Sequence, residues 1–292
     1  MQPEREPSLT RVRYGVYADA AALEHGGREA AYLASVRAVA VTRARPVFAR
    51  ESALAIHSLP YGLEPDAVFT IGDAATARKK AGVIHAVRPL DPVDITSVGD
   101  LSVCTVAYAL ADVARQRDAT VAVAAIDWAL RHRLVSRDGV LEALGRQSKR
   151  GRVAAEWAVQ FADAAAESVG ESYSRVRLHQ LGFAIPELQA HVVGRSGKGY
   201  RVDMRWTFPD RPPLFGEFDG LQKYGELAHQ AGRSGARALE AEKAREDDIR
   251  FRGDMMRWIW ADMIDPRRFE RLLLAHRVPR LRGSLQALLT AT

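Results

Sequence analysis

The chain has 292 residues, 47% of them hydrophobic and 27% charged, a balance that excludes a fibrous or disordered polypeptide. That length allows roughly two domains of ~150 residues, each with its own core. Lys and Arg number 42 against 36 Asp and Glu; the formal charge of +6 is compatible with a polyanionic partner without requiring one. Cys104 is the single cysteine, so an intrachain disulfide and a multi-cysteine zinc site are excluded and a metal would be held mostly by oxygen. The longest apolar stretch, Thr120 to Leu130, is broken by Asp127, and the first seven residues contain no apolar run. The expectation is a cytoplasmic protein with no membrane partner.

In chain order, Arg11 to Ala18 reads as a strand with a turn glycine, followed by a helix from about Ala20 to Arg43. Val47 to Pro60 carries small and apolar residues at helical spacing, and Ala67 to Ile71 and Val83 to Leu90 are short strands. From Val103 to Leu144 the pattern is helical, with a turn and cap at Val135 to Gly139, and another helix is expected over Val153 to Ala166. The basic run Arg146 to Arg152 reads either as a solvated linker face or as a contact to a nucleic-acid backbone. A domain boundary is expected between Arg146 and Gly170, giving an α+β domain over residues 1–150 and a second domain over 165–292.

The second half is more regular. Ser168-Val-Gly-Glu171 fits a capping box opening a helix that ends near Gly182, a residue suited to a left-handed cap. Strands are expected at Leu188 to Val193, Tyr200 to Thr207 and Leu214 to Gly220. A charged helix over Ala236 to Arg252, a strand over Met255 to Ala261 and a helix over Pro266 to His276 complete the order.

Alternation along these strands places carboxylates together. Val202, Met204 and Trp206 take one face of their strand, which turns Asp203 to the other, and Glu217 and Asp219 share a face while Phe218 points away. Two like charges ~4 Å apart at an effective dielectric near 20 repel by ~4 kcal/mol, so the cluster needs a cation, a proton or a basic neighbour. A hard divalent ion, Mg²⁺ above all, meets that need; held by Asp203, Glu217 and a backbone carbonyl such as that of Phe218, it would activate water against a phosphodiester. Lys223 would then orient the water or neutralise the phosphate. Plainer roles stay open: Glu171 closing the capping box, Asp203 pairing with Arg201 or Arg205, Glu217 with an arginine of an adjacent strand, Asp219-Gly220 shaping a turn, Lys223 and Gln189 as exposed polar residues.

Glu171-Ser-Tyr-Ser-Arg175, Pro186-Glu-Leu-Gln189, Arg201-Val-Asp203, Gly216-Glu-Phe-Asp-Gly220, Lys223-Tyr224 and Glu242-Lys-Ala-Arg-Glu246 together resemble the very-short-patch-repair-like branch of the PD-(D/E)XK endonucleases. The resemblance covers about a hundred residues and implies an α/β, restriction-endonuclease-like fold and metal-dependent cleavage of nucleic acid, DNA foremost. It makes Glu171 the helix acid, Asp203 the central ligand and Glu217 the second strand acid, so that Mg²⁺ or Mn²⁺ is held by Asp203, Glu217 and Glu171. Gln189 becomes the polar residue on the strand before the aspartate, and Arg175, Arg201, Arg205 and Arg245 are the candidate nucleic-acid contacts. Asp219 stands where the superfamily has lysine; Glu-x-Asp-Gly is common in this branch, and Lys223 is the candidate substitute.

The first half is similar, more loosely, to antitoxin and regulator proteins of abortive-infection-type toxin–antitoxin systems, through Arg13 to Tyr17, Glu51 to Pro60 and Ala109 to Arg115. In such proteins a winged helix-turn-helix precedes the strand that here begins near Arg11. Eight histidines show no zinc-hydrolase spacing, and the chain has no Walker loop, dinucleotide fingerprint or serine-hydrolase elbow. The expected function is a metal-dependent endonuclease; the alternatives are a catalytically inactive nucleic-acid-binding regulator or antitoxin, or an interaction scaffold.

Overall fold

The structure is a computed structural model that describes residues 6, 8–62, 65–73, 81–220 and 233–281. It is a mixed α/β chain in two compact units, residues 1–163 and 164–292. Among the described residues no helix is long and apolar enough to cross a membrane.

In the first unit a hairpin, β1 (Leu9–Arg13) and β2 (Val16–Asp19), turns at Gly15, whose φ of 74° suits a residue without a Cβ. Asp19 then caps α1 (Ala20–Thr42) by accepting from the Ala22 N–H. The sheet comprises β3 (Val47–Phe48), β4 (Val68–Gly72), β5 (Val83–Val87), β6 (Ile95–Val98) and β7 (Leu101–Cys104) in the order β5-β4-β3-β7-β6. Helices α2 (Arg50–Ile56), α3 (Val106–Gln116), α4 (Ala119–Arg131), α5 (Arg137–Gly145) and α6 (Arg152–Phe161) complete the unit. Thr105, Asp118 and Ser136 accept from backbone N–H groups in the first turns of α3, α4 and α5.

The helical expectation from Val103 onward is corrected here. Val103 and Cys104 end a strand, paired with Thr96 and Ile95 across a turn at Gly99-Asp100, and the helix starts only after the Thr105 cap. Likewise Val47 and Phe48 form a short central strand rather than the lead-in to a helix.

The second unit runs α7 (Val169–Gln180), β8 (Glu187–Val193), β9 (Gly199–Trp206), β10 (Leu214–Phe218), α8 (Arg233–Arg250), β11 (Asp254–Trp258), α9 (Trp260–Ile264) and α10 (Pro266–Ala275). The sheet order is β11-β10-β9-β8, with β10 parallel to β11 and the other pairs antiparallel. Adjacent residues of β10 and β11 feed two cores on opposite faces. Leu214, Phe218, Met256 and Trp258 join Met204 and Trp206 in one, and Phe215 and Met255 join Val202, Ala190 and Ile249 in the other. The last expected strand is shorter than its apolar run suggests: it stops at Trp258, and the Ile259 N–H donates to Asp262 as α9 begins.

One face assignment is also corrected. Val202 packs in a different core from Met204 and Trp206, so β9 does not keep one apolar face along its length. The change coincides with Gln189 on the neighbouring strand, between the Leu188↔Met204 and Ala190↔Val202 pairs, whose φ of 52° lies in the left-handed region. A non-glycine residue held there inside a strand is strained and breaks the regular pleat.

Candidate functional site

The strand registers align the candidate residues across the sheet. Gln189 of β8 and Asp203 of β9 are flanked by the pairs Leu188↔Met204 and Ala190↔Val202 without being paired themselves. On the other side of β9 the pairing ends at Gly216↔Met204, one residue short of Asp203 and Glu217. Glu217 in turn pairs with Arg257 of β11. Gln189, Asp203, Glu217 and Arg257 thus lie at neighbouring positions in a row across β8, β9, β10 and β11, with Glu217↔Arg257 its directly paired step. Where β9 and β10 diverge, Asp203 Oδ2 accepts from the Phe218 N–H at 3.0 Å, a side chain taking over a ladder position.

Glu171 is tied to the end of this row. It is buried, 4% exposed. Its Oε1 accepts from the Ser168 hydroxyl at 2.8 Å, and its Oε2 accepts from the Glu167 N–H at 3.0 Å and from Gln189 Nε2 at 2.8 Å. The expected capping arrangement therefore forms with a difference: the glutamate reaches back to the N–H of Glu167 instead of that of Ser168, while Ser168 Oγ accepts from the Glu171 N–H. Gly170 lets α7 approach β10 closely, since a Cβ there would lie 2.0 Å from Cε1 of Phe218.

At the other end, the cation demanded by the carboxylates is arginine. Glu217 is buried; Arg245 reaches its Oε1 at 2.6 Å and Arg257 its Oε2 at 2.8 Å. Arg257 also faces Asp219 Oδ2 at 3.6 Å and Glu246 Oε2 at 3.5 Å, and Glu242 bonds both guanidinium groups. Burial alone would lower the pKa of each arginine, but hydrogen bonds and charge from Glu217 and Glu242, with Asp219 and Glu246 added at Arg257, leave both raised. The plainer pairing of Glu217 with an arginine of an adjacent strand is therefore the one that forms, and Arg257 of β11, not singled out by number from the sequence, is that arginine. Its signal was a charged residue between Met256 and Trp258 inside the strand.

The remaining candidates divide. Arg201 pairs with Glu167 at 2.6 Å and Arg205 with Glu187 at 2.5 Å. Arg245 serves Glu217, and Arg175 is 4% exposed, which removes it from the surface a nucleic acid would touch. Lys223 lies outside the described residues. Among those described, no three His, Cys, Asp or Glu side chains converge in a way that would hold a metal ion, so Glu171, Asp203 and Glu217 are aligned without being gathered around one point.

No family model matches the chain, and no solved structure matches it. The chain is similar to two uncharacterized proteins of Mycobacterium tuberculosis, from strains CDC 1551 / Oshkosh and H37Rv. Each is 37% identical over 117 residues, or 40% of this chain. The matched segment spans 42% of the length of each relative.

Proposed function

We propose that residues 164–292 form a restriction-endonuclease-like domain that hydrolyses phosphodiester bonds in nucleic acid, DNA foremost, with Mg²⁺ or Mn²⁺. The observation that carries this reading is the row Gln189, Asp203, Glu217 across adjacent strands, with Glu171 bonded to its first member. The helix, three strands, helix, strand order around it supports the same reading.

The donor set suits a hard cation in chemistry, being all oxygen. Asp203 and Glu217 would hold it, with Glu171 behind Gln189; the ion would polarise a phosphoryl oxygen and acidify a bound water. The protein's own part is to position these groups and control their charge. Gln189 fixes the Glu171 carboxylate, and the Phe218 N–H fixes Asp203. Arg245 and Arg257 occupy both oxygens of Glu217, and phosphate oxygens compete for the same guanidinium forks. Binding of a nucleic-acid backbone would draw the arginines outward and release Glu217.

A second reading, a nucleic-acid-binding regulator or antitoxin-like protein without catalysis, is favoured by the same two ion pairs and by Asp219 at the superfamily's lysine position. Incubation with plasmid DNA, linear DNA and RNA in Mg²⁺, Mn²⁺ or EDTA separates the two. Metal-dependent cleavage that disappears in Asp203→Ala and Glu217→Ala, both still folded, supports the nuclease. Undiminished cleavage in both variants overturns the site; gel-shift binding without cleavage selects the regulator.

A further inference from the structure

A cavity lies wholly in the first unit. It has a volume of about 460 Å³ and opens beside β4 and β5. Arg50, Arg88, Arg115 and Arg150 line it together with Thr70 and Gln116, and no Asp or Glu is among the described lining residues. The nearest acids, Glu51 and Asp112, are each 1% exposed and lie behind the arginines. Glu51 is shared by Arg50 and Arg117, and Asp112 by Arg88 and Arg115. Arg150 has an exposed guanidinium with no ion pair among the described residues. Four arginines therefore share two buried carboxylates, Arg150 adds a further positive charge, and all of these but Arg117 line the cavity.

Arg50, Arg88 and Arg115 are held in place, and Arg50 and Arg88 are incompletely hydrogen-bonded. Arg88 donates through one terminal nitrogen to Asp112 at 2.8 Å, yet its buried Nε has no hydrogen-bond acceptor. The buried Nε of Arg50 lies 3.3 Å from Glu51 Oε2 without hydrogen-bond geometry, and its guanidinium is fixed 4.1 Å above the ring of Phe69. Arg50 opens α2 with φ 53°, a backbone strained for any residue with a side chain. Arg115 is anchored to the Arg150 carbonyl and to Asp112. Burial, opposed by Asp112 and reinforced by the charge of Arg88, holds Arg115 below the usual guanidinium value. Such unmet positive charge in a concave, partly desolvated setting calls for a compact anion with several acceptor oxygens.

We propose that this cavity binds the terminal phosphate of a phosphomonoester, with Arg50, Arg88 and Arg150 as its cationic contacts and the Phe69, Ile84 and Ala86 wall receiving the rest of the ligand. The volume exceeds that of a lone phosphate and falls in the range of small-molecule sites. The phosphate belongs either to a free mononucleotide or to the 5′ end of a nucleic acid; the chemistry recognised is the same. Nothing in this inference rests on the nuclease reading of the second unit.

Calorimetric titration of the full chain with inorganic phosphate, adenosine monophosphate, and a 5′-phosphorylated oligonucleotide beside its 5′-hydroxyl twin tests it. Arg150→Ala removes an exposed side chain, and Arg88→Gln a guanidinium that pairs with Asp112 while its Nε lacks an acceptor; circular dichroism confirms that each is folded. The expected result is binding of phosphate and adenosine monophosphate, weakened at least ~10-fold in either folded variant, the size of one charged hydrogen bond. A preference for the 5′-phosphorylated oligonucleotide over both its twin and the mononucleotide assigns the source to a nucleic-acid end. Tighter binding of the mononucleotide assigns it to a small molecule. No binding of any phosphomonoester by the wild type, or unchanged affinity in both variants, overturns the proposal.

Discussion

Replacing Arg257 with alanine removes a cation that four carboxylates share, and the structure sets the scale of the effect. The guanidinium lies 2.8 Å from Glu217 Oε2, with side-chain exposures of 24% and 9%. Charge centres ~4 Å apart at an effective dielectric near 20 attract by ~4 kcal/mol. Desolvation of both groups and partial solvent screening of the arginine cut that by roughly half, so a coupling of ~2 kcal/mol is expected. The assay is a double-mutant cycle of Arg257→Ala, Glu217→Gln and the double variant, each unfolded in urea at neutral pH. Arg257→Ala alone is expected to destabilise by ~2–3 kcal/mol, because Glu217, Asp219 and Glu242 then repel one another with Arg245 as the remaining shared cation. Removing the charge of Glu217 as well should return part of this loss. Additive effects, with a coupling below ~0.5 kcal/mol, would refute the view that arginine is what holds this acidic cluster together.

Gly170→Ala sets helix propensity against packing: alanine favours a helix interior by ~1 kcal/mol, but a Cβ 2.0 Å from the Phe218 ring costs ~1–3 kcal/mol of overpacking, so a lower melting temperature is expected in a thermal scan. Burial would raise Asp254, yet hydrogen bonds from His276 and the Met255 N–H, with the charges of His276 and Arg250, hold it below its ordinary 3.8. A depressed folded pKa contributes stability that is complete above the unfolded value and is lost as pH falls through the folded one; unfolding midpoints measured downward from about pH 5 should therefore fall less steeply in Asp254→Asn. Cys104 is fully buried, and burial followed by the charge of Asp112 pushes its thiol pKa well up, so it should react with an aromatic disulfide reagent only as fast as the first unit unfolds. Rapid labelling under native conditions would contradict its placement.

The parts of the fold that were legible in the sequence are those with a local physical signature. Ser168 and Glu171 mark the start of α7, and Gly182, with φ 73°, marks its end as a left-handed cap should. The hairpin of β6 and β7 left no such mark: Thr96, Ser97 and Ser102 interrupt its alternation, and the apolar Val103-Cys104 merges with the helix that follows. For the site, strand spacing was enough to bring Asp203 and Glu217 onto neighbouring positions. What spacing cannot supply is the identity of the counter-charge. Arg245 comes from a helix 28 residues beyond Glu217 and Arg257 from a parallel strand, so their convergence depends on the crossover between β10 and β11. Nor does periodicity anticipate Gln189, because a left-handed residue inside a strand is a tertiary effect.

Gly216 lies between two indoles, a Cβ there falling 2.9 Å from both Trp206 and Trp258. Trp260 meets Phe218 edge to face, with centroids 5.2 Å apart. Every tryptophan after residue 163 therefore sits against the strand that carries Glu217, while Trp128 and Trp157 belong to the other unit. The second unit thus has a built-in optical reporter. With Trp128 and Trp157 replaced by phenylalanine, the fluorescence that remains would follow the rear wall of the acidic row, making occupancy or loosening of that site visible without an added label.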